Sequence, residues 1–184
     1  MKSTLYLKFA LLYIVFGFLS LFTTSILGQQ LLLNQLENNA SQSLYKEANV
    51  MATTYLPSYF SNNMTSWSVH SQLSAMKIYL EATLWFVEED GTLITSSNLG
   101  TATAPAMIED FDPAEIGNSQ YIVGRYHGYF DEDVITIMAP VIQGFQTEGY
   151  LLIHKPVSTL EETCTQLMTT VHIILGAVYV LAFL

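Results

Sequence analysis

The sequence predicts an α+β protein. A five-stranded antiparallel sheet packs on a long N-terminal helix, and a transmembrane helix flanks the domain on each side. Three observations predict this fold. The two ends of the chain are apolar stretches without acidic residues, one apolar helical face follows the first stretch, and five β-type runs fill the later part of the chain. The 184 residues are 51% hydrophobic and only 12% charged. A soluble domain usually has about a quarter charged residues, so the deficit favours lipid-embedded segments.

The first apolar stretch, residues 9–28, predicts a transmembrane helix. With residues 5–7 it exceeds the ~20 residues that cross a bilayer. Lys2 and Lys8 precede it, and no positive charge follows until Lys46, which places residues 1–8 in the cytoplasm. A cleaved signal peptide is the alternative. The long apolar run and the poor small-x-small pattern of residues 25–28 favour an uncleaved anchor.

The second apolar stretch, residues 168–184, predicts the start of a second transmembrane helix. His172 is its only basic or acidic side chain. The stretch is short for a span and no basic residue follows it. We therefore expect the chain to be cut inside this helix, with any output domain beyond it.

The charges between the two stretches predict an acidic extracytoplasmic domain, residues 29–167. All 16 acidic residues lie there, against Lys46, Lys77, Arg125 and Lys155. The segment is long enough for one core. It has no basic patch, so nucleic-acid binding is not expected. Cys164 is the only cysteine, which excludes an intrachain disulfide. We expect it to be a buried helix residue, with a disulfide across a dimer seam as the alternative.

Helical periodicity predicts three helices in this domain. The first covers residues 29–56, ends before Pro57 and packs on the sheet, on a second copy, or on both. A shorter helix covers residues 67–80, and an exit helix covers residues 158–167. The predicted inner face of the first helix is Leu33, Leu36, Ala40, Leu44, Ala48, Met51 and Tyr55, and that of the exit helix is Leu160, Cys164, Leu167 and Val171.

The sheet is predicted within residues 84–155. Asp90-Gly91 between two apolar runs is the strongest short-range signal of a β-hairpin. The remaining strands are expected at residues 120–130, 134–142 and 149–155, with turns at 131–133 and 143–148.

These segments carry a family resemblance. A long helix is followed by Leu-Trp-Phe-Val-Glu-Glu-Asp-Gly-Thr-Leu-Ile-Thr-Ser-Ser (residues 84–97), a strand ending in Ala-Pro-Val (139–141) and Gly-Tyr-Leu-Leu-Ile-His-Lys-Pro (149–156) before an exit helix. In this order they resemble the extracytoplasmic single-Cache (PAS-like) sensor region of bacterial membrane sensor histidine kinases. The resemblance implies a homodimer in the bacterial cell membrane and an unknown small-molecule ligand. It also implies signalling to a cytoplasmic response regulator through a kinase region that this sequence lacks.

The strand predicted at residues 120–130 suggests a ligand-binding face. Strict alternation would place Tyr121, Val123, Arg125, His127 and Tyr129 on one side, with Trp85 and Tyr126 as walls. Arg125 is the only arginine, and arginine with histidine and tyrosine is suited to a small anion. The alternative is a solvated strand face on which Arg125 pairs with a nearby acid.

Other functions have weaker support. Asp131, Glu132 and Asp133 are the weak candidates for a Ca²⁺ or Mg²⁺ site, although an ordinary solvated turn explains them better. No catalytic motif is recognisable, so no catalytic residue and no cofactor is predicted. The same sensor type in a chemoreceptor or a cyclic-dinucleotide enzyme is the second interpretation. A membrane-tethered structural or adhesion protein without signalling is the third.

Overall fold

The computed structural model describes residues 2–98, 105–117 and 121–183. They form two compact units, Met1–Leu36 with Leu160–Leu184, and Glu37–Thr159. The elements in chain order are α1 (Lys2–Thr54), α2 (Pro57–Phe60), α3 (Ser66–Leu80), β1 (Thr83–Glu88), β2 (Leu93–Ser96), α4 (Pro113–Gly117), β3 (Ile122–Gly124), β4 (Val134–Gln143), β5 (Gln146–Pro156) and α5 (Val157–Phe183).

The first unit is a pair of apolar helices. The Tyr13 hydroxyl in α1 donates a 2.8 Å hydrogen bond to the carbonyl of Tyr179 in α5. Further along the pair, the Cys164 thiol lies 3.6 Å from the carbonyl oxygen of Gln29 and donates to it. Both helices are long and apolar enough to cross a membrane, with mean hydropathies of 2.1 and 1.6 over their most apolar windows.

Helix packing in this unit corrects the predicted exit face. Leu167 and Val171 are 45% and 41% exposed, whereas Leu160, Cys164 and Met168 are buried. Both rows have helical spacing, so the partner helix decides which one is covered. Met168 takes the inner position because its methyl group reaches Gly28, where a Cβ would lie 3.2 Å away. Helix α5 is continuous through residues 167–168, where the exit helix was expected to lead straight into the second apolar stretch.

The second unit is built on the predicted antiparallel sheet, with strand order β2-β1-β5-β4-β3. The five strands and the long helix confirm the α+β fold class. The Asp90-Gly91 hairpin is also confirmed. The Asp90 carboxylate accepts the N–H of Thr92 at 2.8 Å, and Gly91 has a φ of +88°. The backbone N–H of Thr92, followed by its side chain, keeps the pKa of Asp90 below its usual value by hydrogen bonding.

The last two strands are longer than predicted. Residues 143–148 were expected to form a turn, but only Gly144 and Phe145 do, with φ values of +57° and +74°. Two consecutive positive φ angles make a tight two-residue hairpin, so Gln143 pairs directly with Gln146. This register fixes which residues of β4 and β5 share a face.

One face of the sheet, called here the helix face, packs on α1, α2 and α3. Its eight side chains from β1, β4 and β5 are apolar and fully buried. Phe86 contacts Tyr59 and Phe60 of α2 edge to face. The helix α1 ends at Thr54, two residues earlier than predicted, and Tyr55 is 45% exposed, so Ala52 and Leu56 are the buried residues there. The helix-face residues are Leu84, Phe86, Ile135, Ile137, Ala139, Val141, Leu151 and Ile153.

Candidate ligand-binding site

The opposite side of the sheet, called here the turn face, carries the polar residues of the core. Register places Trp85 opposite Leu152, Leu152 opposite Met138, and His154 opposite Thr136. Directly opposed residues of antiparallel strands point to the same side, so these five side chains share the turn face. Segments between β2 and β4 cover this face through Ile108, Ile116 and Tyr126.

Trp85 is the centre of an aromatic cluster on the turn face. It is fully buried, and the ring of Phe130 stacks on it with a centroid distance of 5.5 Å. Tyr126 and Tyr129 meet Trp85 edge to face at 6.1 and 5.8 Å. The centroid of the His154 imidazole is only 4.5 Å from that of Trp85. These contacts bring residues from β1, β5 and the segment after β3 into one cluster.

The segment after β3 corrects a prediction. The strand expected at residues 120–130 covers only Ile122–Gly124, and Gln120 lies outside the described residues. Residues 124–130, called here the aromatic turn, curl back instead because Tyr126, His127 and Gly128 have φ values of +32°, +51° and +76°. Alternation therefore does not apply beyond Gly124. Positive φ is costly for residues with a Cβ, so the packing of Tyr126 on the sheet must offset this strain.

His154 is the polar residue at the base of the cluster. Its side chain is fully buried, and Nδ1 lies 2.9 Å from the hydroxyl oxygen of Thr136, which is also buried. Burial lowers the pKa of His154 to about 3, because a charged imidazole would lose its hydration there. Tyr126 packs on it at 4.8 Å, and burial raises the pKa of this phenol well above its usual value. Both groups are therefore uncharged near neutral pH.

Two atoms of this cluster are buried without a hydrogen-bond partner. They are Nε1 of Trp85 and Nε2 of His154. Among the described residues, no other side-chain nitrogen or oxygen on the turn face is buried without a partner. Buried polar atoms are nearly always paired in folded proteins. An indole N–H beside an imidazole nitrogen can bind a small polar group.

The structure brings together only part of the predicted binding set. Tyr126 and Tyr129 both contact Trp85. His127 packs beside Tyr126, with a distance of 4.8 Å between the ring centroids. His127 Nε2 also lies 3.4 Å from the carboxylate of Glu115 in α4. The remaining two residues of the set, Tyr121 and Arg125, lie elsewhere.

Tyr121 and Arg125 do not reach the cluster. The Tyr121 hydroxyl donates to the side-chain oxygen of Asn38 in α1, at 3.1 Å. Arg125 is exposed, and it forms no ion pair within residues 2–98, 105–117 and 121–183. Arg125 is thus a rim residue of the aromatic turn.

The sequence carried a signal for the residues that were missed. Thr136 and His154 each interrupt an apolar strand, in Val-Ile-Thr-Ile-Met and Leu-Leu-Ile-His-Lys. A polar residue inside such a run is costly unless it is hydrogen-bonded, so two of them in strands that pair are expected to meet. Phe130 was treated as the end of a strand, and only the positive φ angles of the aromatic turn bring it onto Trp85.

An open cavity of about 470 Å³ lies on the same unit, against the turn face. Met138 of this face lines it, and so does Tyr150, the residue directly opposite Pro140. Burial is the main cause that raises the pKa of Tyr150, with Glu89 as a second cause. The cavity is mostly apolar, and its lining residues are Tyr45, Pro113, Ala114, Ile116, Met138, Pro140 and Tyr150.

The acidic turns do not form a metal site by geometry. Asp131, Glu132 and Asp133 are all exposed. In the part of the chain that the structure describes, no three histidine, cysteine, aspartate or glutamate side chains are grouped to hold a metal ion. The metal alternative therefore has no support beyond the clustering of acids in the sequence.

Comparison with solved structures identifies the fold. The sensor domain of the Vibrio cholerae histidine kinase DctB is similar, with a TM-score of 0.50 and 16% identity over 76% of this chain and 60% of that chain. This chain has the fold of that sensor domain. The likeness confirms, at the level of the fold, the predicted resemblance to extracytoplasmic sensors. The chain spans less than two thirds of the DctB sensor domain.

Weaker likenesses extend to chemoreceptors. The ligand-binding domain of Campylobacter jejuni Tlp3, in complex with L-valine, has a TM-score of 0.44 and 16% identity over 81% of this chain and 66% of that chain. That of Pseudomonas aeruginosa PctB, in complex with L-Arg, has a TM-score of 0.43 and 16% identity over 69% and 55%. No protein-family model and no curated protein sequence matches the chain.

Proposed function

We propose that this chain is the extracytoplasmic ligand-sensing input region of a two-component sensor histidine kinase in the bacterial cell membrane. The observation that carries the proposal is a sensor fold whose first and last helices each contain a candidate membrane span. A ligand that changes the domain then acts on helices that enter the bilayer. Helix movement is the common means by which such a change becomes a signal.

Charge supports the orientation. Lys2 and Lys8 place the N-terminus in the cytoplasm by the positive-inside tendency, so the acidic residues 29–167 lie outside. The second helix then returns the chain to the cytoplasm, where a kinase and its response regulator would act. A homodimer fits this scheme, and like the response regulator it rests on the family resemblance.

The output is the open part of the proposal. The same sensor fold would serve a chemoreceptor or a cyclic-dinucleotide enzyme, and the weaker likenesses to Tlp3 and PctB carry no argument for either. Any residues that follow the second helix in the full-length protein would distinguish a kinase from a chemoreceptor. A phosphoacceptor histidine box supports the kinase, and a long methylated coiled coil supports the chemoreceptor.

We place the ligand on the turn face. Trp85, Tyr126, His127 and Tyr129 form the binding group, and Arg125 lies at its rim. Tyr121 belongs to the predicted set but is held by Asn38, so it takes part only if the aromatic turn rearranges. An anionic ligand is proposed from Arg125 alone.

A ligand panel tests the sensing function in the full chain. We would reconstitute the Trp67→Phe variant in lipid nanodiscs, which leaves buried Trp85 as the only tryptophan, because Trp67 is 75% exposed. Small acids, amides, amines and divalent cations are then titrated against Trp85 fluorescence. A saturable change with one class of compound is expected. No response to any compound contradicts small-molecule sensing.

Arg125→Ala separates the charge classes. It should abolish binding of an anionic ligand and leave binding of an uncharged ligand unchanged, because its side chain is exposed and outside the buried cluster. Unchanged binding of an anionic ligand would contradict the rim role. The matched control is Lys46→Ala, which removes an exposed positive charge on α1. His70→Ala is unsuitable, since the His70 side chain hydrogen-bonds to the backbone of β2.

Signalling needs a separate readout in the membrane helices. In a Cys164→Ser background, Gly28→Cys and Met168→Cys place two thiols on facing sides of α1 and α5. A sensor predicts that the panel ligand changes the rate at which this disulfide forms. A structural or adhesion protein predicts the same rate with and without ligand.

A further inference from the structure

The two unpartnered nitrogens of the turn face can both act as hydrogen-bond donors. Nε1 of Trp85 always carries a proton and can only donate. Nε2 of His154 donates or accepts according to the tautomer of the ring. Whether both atoms are donors therefore depends on Nδ1, which lies 2.9 Å from the Thr136 hydroxyl oxygen.

Thr136 decides the tautomer. Its hydroxyl is buried and, within the described part of the chain, has no hydrogen-bond partner other than His154. If Nδ1 donated to this oxygen, the hydroxyl proton would be buried without an acceptor, which is unfavourable. The favoured arrangement has Thr136 donating to Nδ1, which puts the imidazole proton on Nε2. Trp85 and His154 then present two buried N–H donors on rings whose centroids are 4.5 Å apart.

Two N–H donors without acceptors are expensive in a core. Each unpaired buried donor loses its hydrogen bonds to water without replacement, and an apolar side chain of similar shape would avoid that cost. The helix face of the same strands uses only apolar side chains at its eight buried positions. The donors on the turn face are therefore explained by a guest that accepts hydrogen bonds.

We propose that Trp85 and His154 form a closed subsite for one uncharged acceptor oxygen, such as that of an amide or a ketone, of the ligand that this domain senses. The inference rests on the proposed sensing function and gives the class of its ligand. The two N–H groups donate to this oxygen, and the aromatic rings around them hold the adjoining carbon skeleton.

The surroundings select an uncharged group. A buried carboxylate needs a cationic partner, and Arg125 is exposed, whereas a cation offers no acceptor to the two donors. The titratable groups that contact His154 or Trp85 are Tyr126 and Tyr129, and the acid Glu115 contacts His127 of the same turn. Glu115 disfavours a further negative charge at this end of the sheet.

The aromatic turn closes the subsite. Trp85 and His154 are fully buried, and Tyr126, Tyr129 and Phe130 of this one turn each contact one or both of their rings. The turn follows the three-residue edge strand β3, and it carries positive φ angles at Tyr126 and His127. A short edge strand and a strained backbone make this segment the easiest part of the turn face to open.

Three isosteric probes test the subsite. Acetamide, acetate and acetamidinium have the same skeleton, but only acetamide is an uncharged acceptor, acetate is an anion, and acetamidinium only donates. In the full-length Trp67→Phe chain in nanodiscs, the isotope-labelled indole N–H resonance of Trp85 reports hydrogen bonding directly. We expect a saturable shift with acetamide, a several-fold weaker effect with acetate and no saturable shift with acetamidinium.

Each other outcome overturns the inference. Equal or stronger binding of acetate makes the subsite an anion site, which would favour a role for Arg125. A saturable shift with acetamidinium would show that binding does not require a hydrogen-bond acceptor on the ligand. No shift with any probe leaves a buried water, or nothing, between the two donors.

Variants guard against a probe that binds elsewhere. Trp85→Phe removes the indole donor, and His154→Phe combined with Thr136→Val removes the second donor together with its partner. Acetamide binding, followed by the methyl signal of the probe, should fall at least tenfold in both variants. Ile137→Val, on the other face of β4, is the matched control and should keep it.

The result is separable from the proposed function. The disulfide rate is compared with and without the donor changes, always in the background of Cys164→Ser, Gly28→Cys and Met168→Cys. If a panel ligand changes this rate equally in both donor variants and in the background alone, sensing stands and the subsite fails. If acetamide binds as expected but no panel compound changes that rate, the subsite stands and the signalling role fails.

Discussion

The two faces of the central sheet differ in the polarity of their buried side chains. The helix face has eight apolar residues, all fully buried against α1, α2 and α3. The turn face holds Trp85, Thr136 and His154, with two unpaired nitrogens under a turn of strained backbone. Stability alone explains the first face. The second face accepts costs that packing does not require, which is typical of functional sites.

The largest expected effect comes from breaking the helix face. Phe86→Ala removes a fully buried ring that contacts Tyr59 and Phe60, so we expect a loss of about 3–5 kcal/mol in the free energy of unfolding. Denaturant unfolding of the full chain in detergent, followed by Trp85 fluorescence in the Trp67→Phe background, measures it. A loss below about 1 kcal/mol would show that this face is not the main core.

Acid should lower the stability of the fold through His154 on the turn face. An unfolded histidine binds a proton as the pH falls below 6.5, but the pKa of folded His154 is about 3, so the unfolded state takes up the proton first. Stability is therefore retained above pH 6.5 and lost as the pH falls from there towards 3, by up to about 1.4 kcal/mol per pH unit. Tyr126, the titratable group that packs on His154, stays neutral throughout this range.

This pH slope is measured by unfolding between pH 6.5 and 5, where most carboxylates are still ionised. The variant with Thr136→Val and His154→Phe supplies the control because it lacks the imidazole. Its stability should change less over the same range. Equal slopes in the two proteins would mean that His154 is protonated in the fold.

At neutral pH the same double variant should be at least as stable as the wild type. It replaces a buried polar pair and an unsatisfied donor by apolar side chains of similar size, for which we expect a gain of about 1 kcal/mol. Denaturant unfolding checks the sign. A loss of more than about 2 kcal/mol would show that the polar pair is structural, and the contrast between the two faces would then disappear.

The smallest expected effect concerns the aromatic turn. A Cβ added at Gly128 meets no atom within 4 Å, but the φ of +76° disfavours any residue other than glycine, by about 1 kcal/mol. Gly128→Ala should therefore open the turn more often and strengthen acetamide binding several-fold. His127→Gly, at φ +51°, relieves strain and is the opposite variant. Equal affinities in both would contradict gating by this turn.

Much of the fold could be predicted from the sequence, because local patterns specify it. Asp90-Gly91 predicted the hairpin, and the spacing of Leu44, Ala48 and Met51 predicted the buried face of α1. In the exit helix Leu160 and Cys164 were predicted correctly. Leu167 was predicted in place of Met168, since both continue the row at helical spacing and only the partner helix chooses between them.

The candidate site was predicted less well, for a physical reason. Trp85 and Tyr126 were predicted as walls of one pocket and they contact each other, but alternation was extended through Arg125, His127 and Tyr129. The positive φ angles of a turn depend on tertiary packing and leave no periodic signal in the sequence. His154 was missed because its importance comes from the cross-strand register with Thr136, which becomes known only when β4 and β5 are paired.

The most direct test of the account compares ligand stabilisation across the two faces. Thermal unfolding of the full chain is measured with the panel ligand at ~100 times its dissociation constant, which should stabilise the wild type by about 2.7 kcal/mol. Ile137→Val on the helix face should keep this stabilisation, and the double variant of Thr136 and His154 on the turn face should lose it. Equal stabilisation of all three proteins would contradict the assignment of ligand sensing to the turn face.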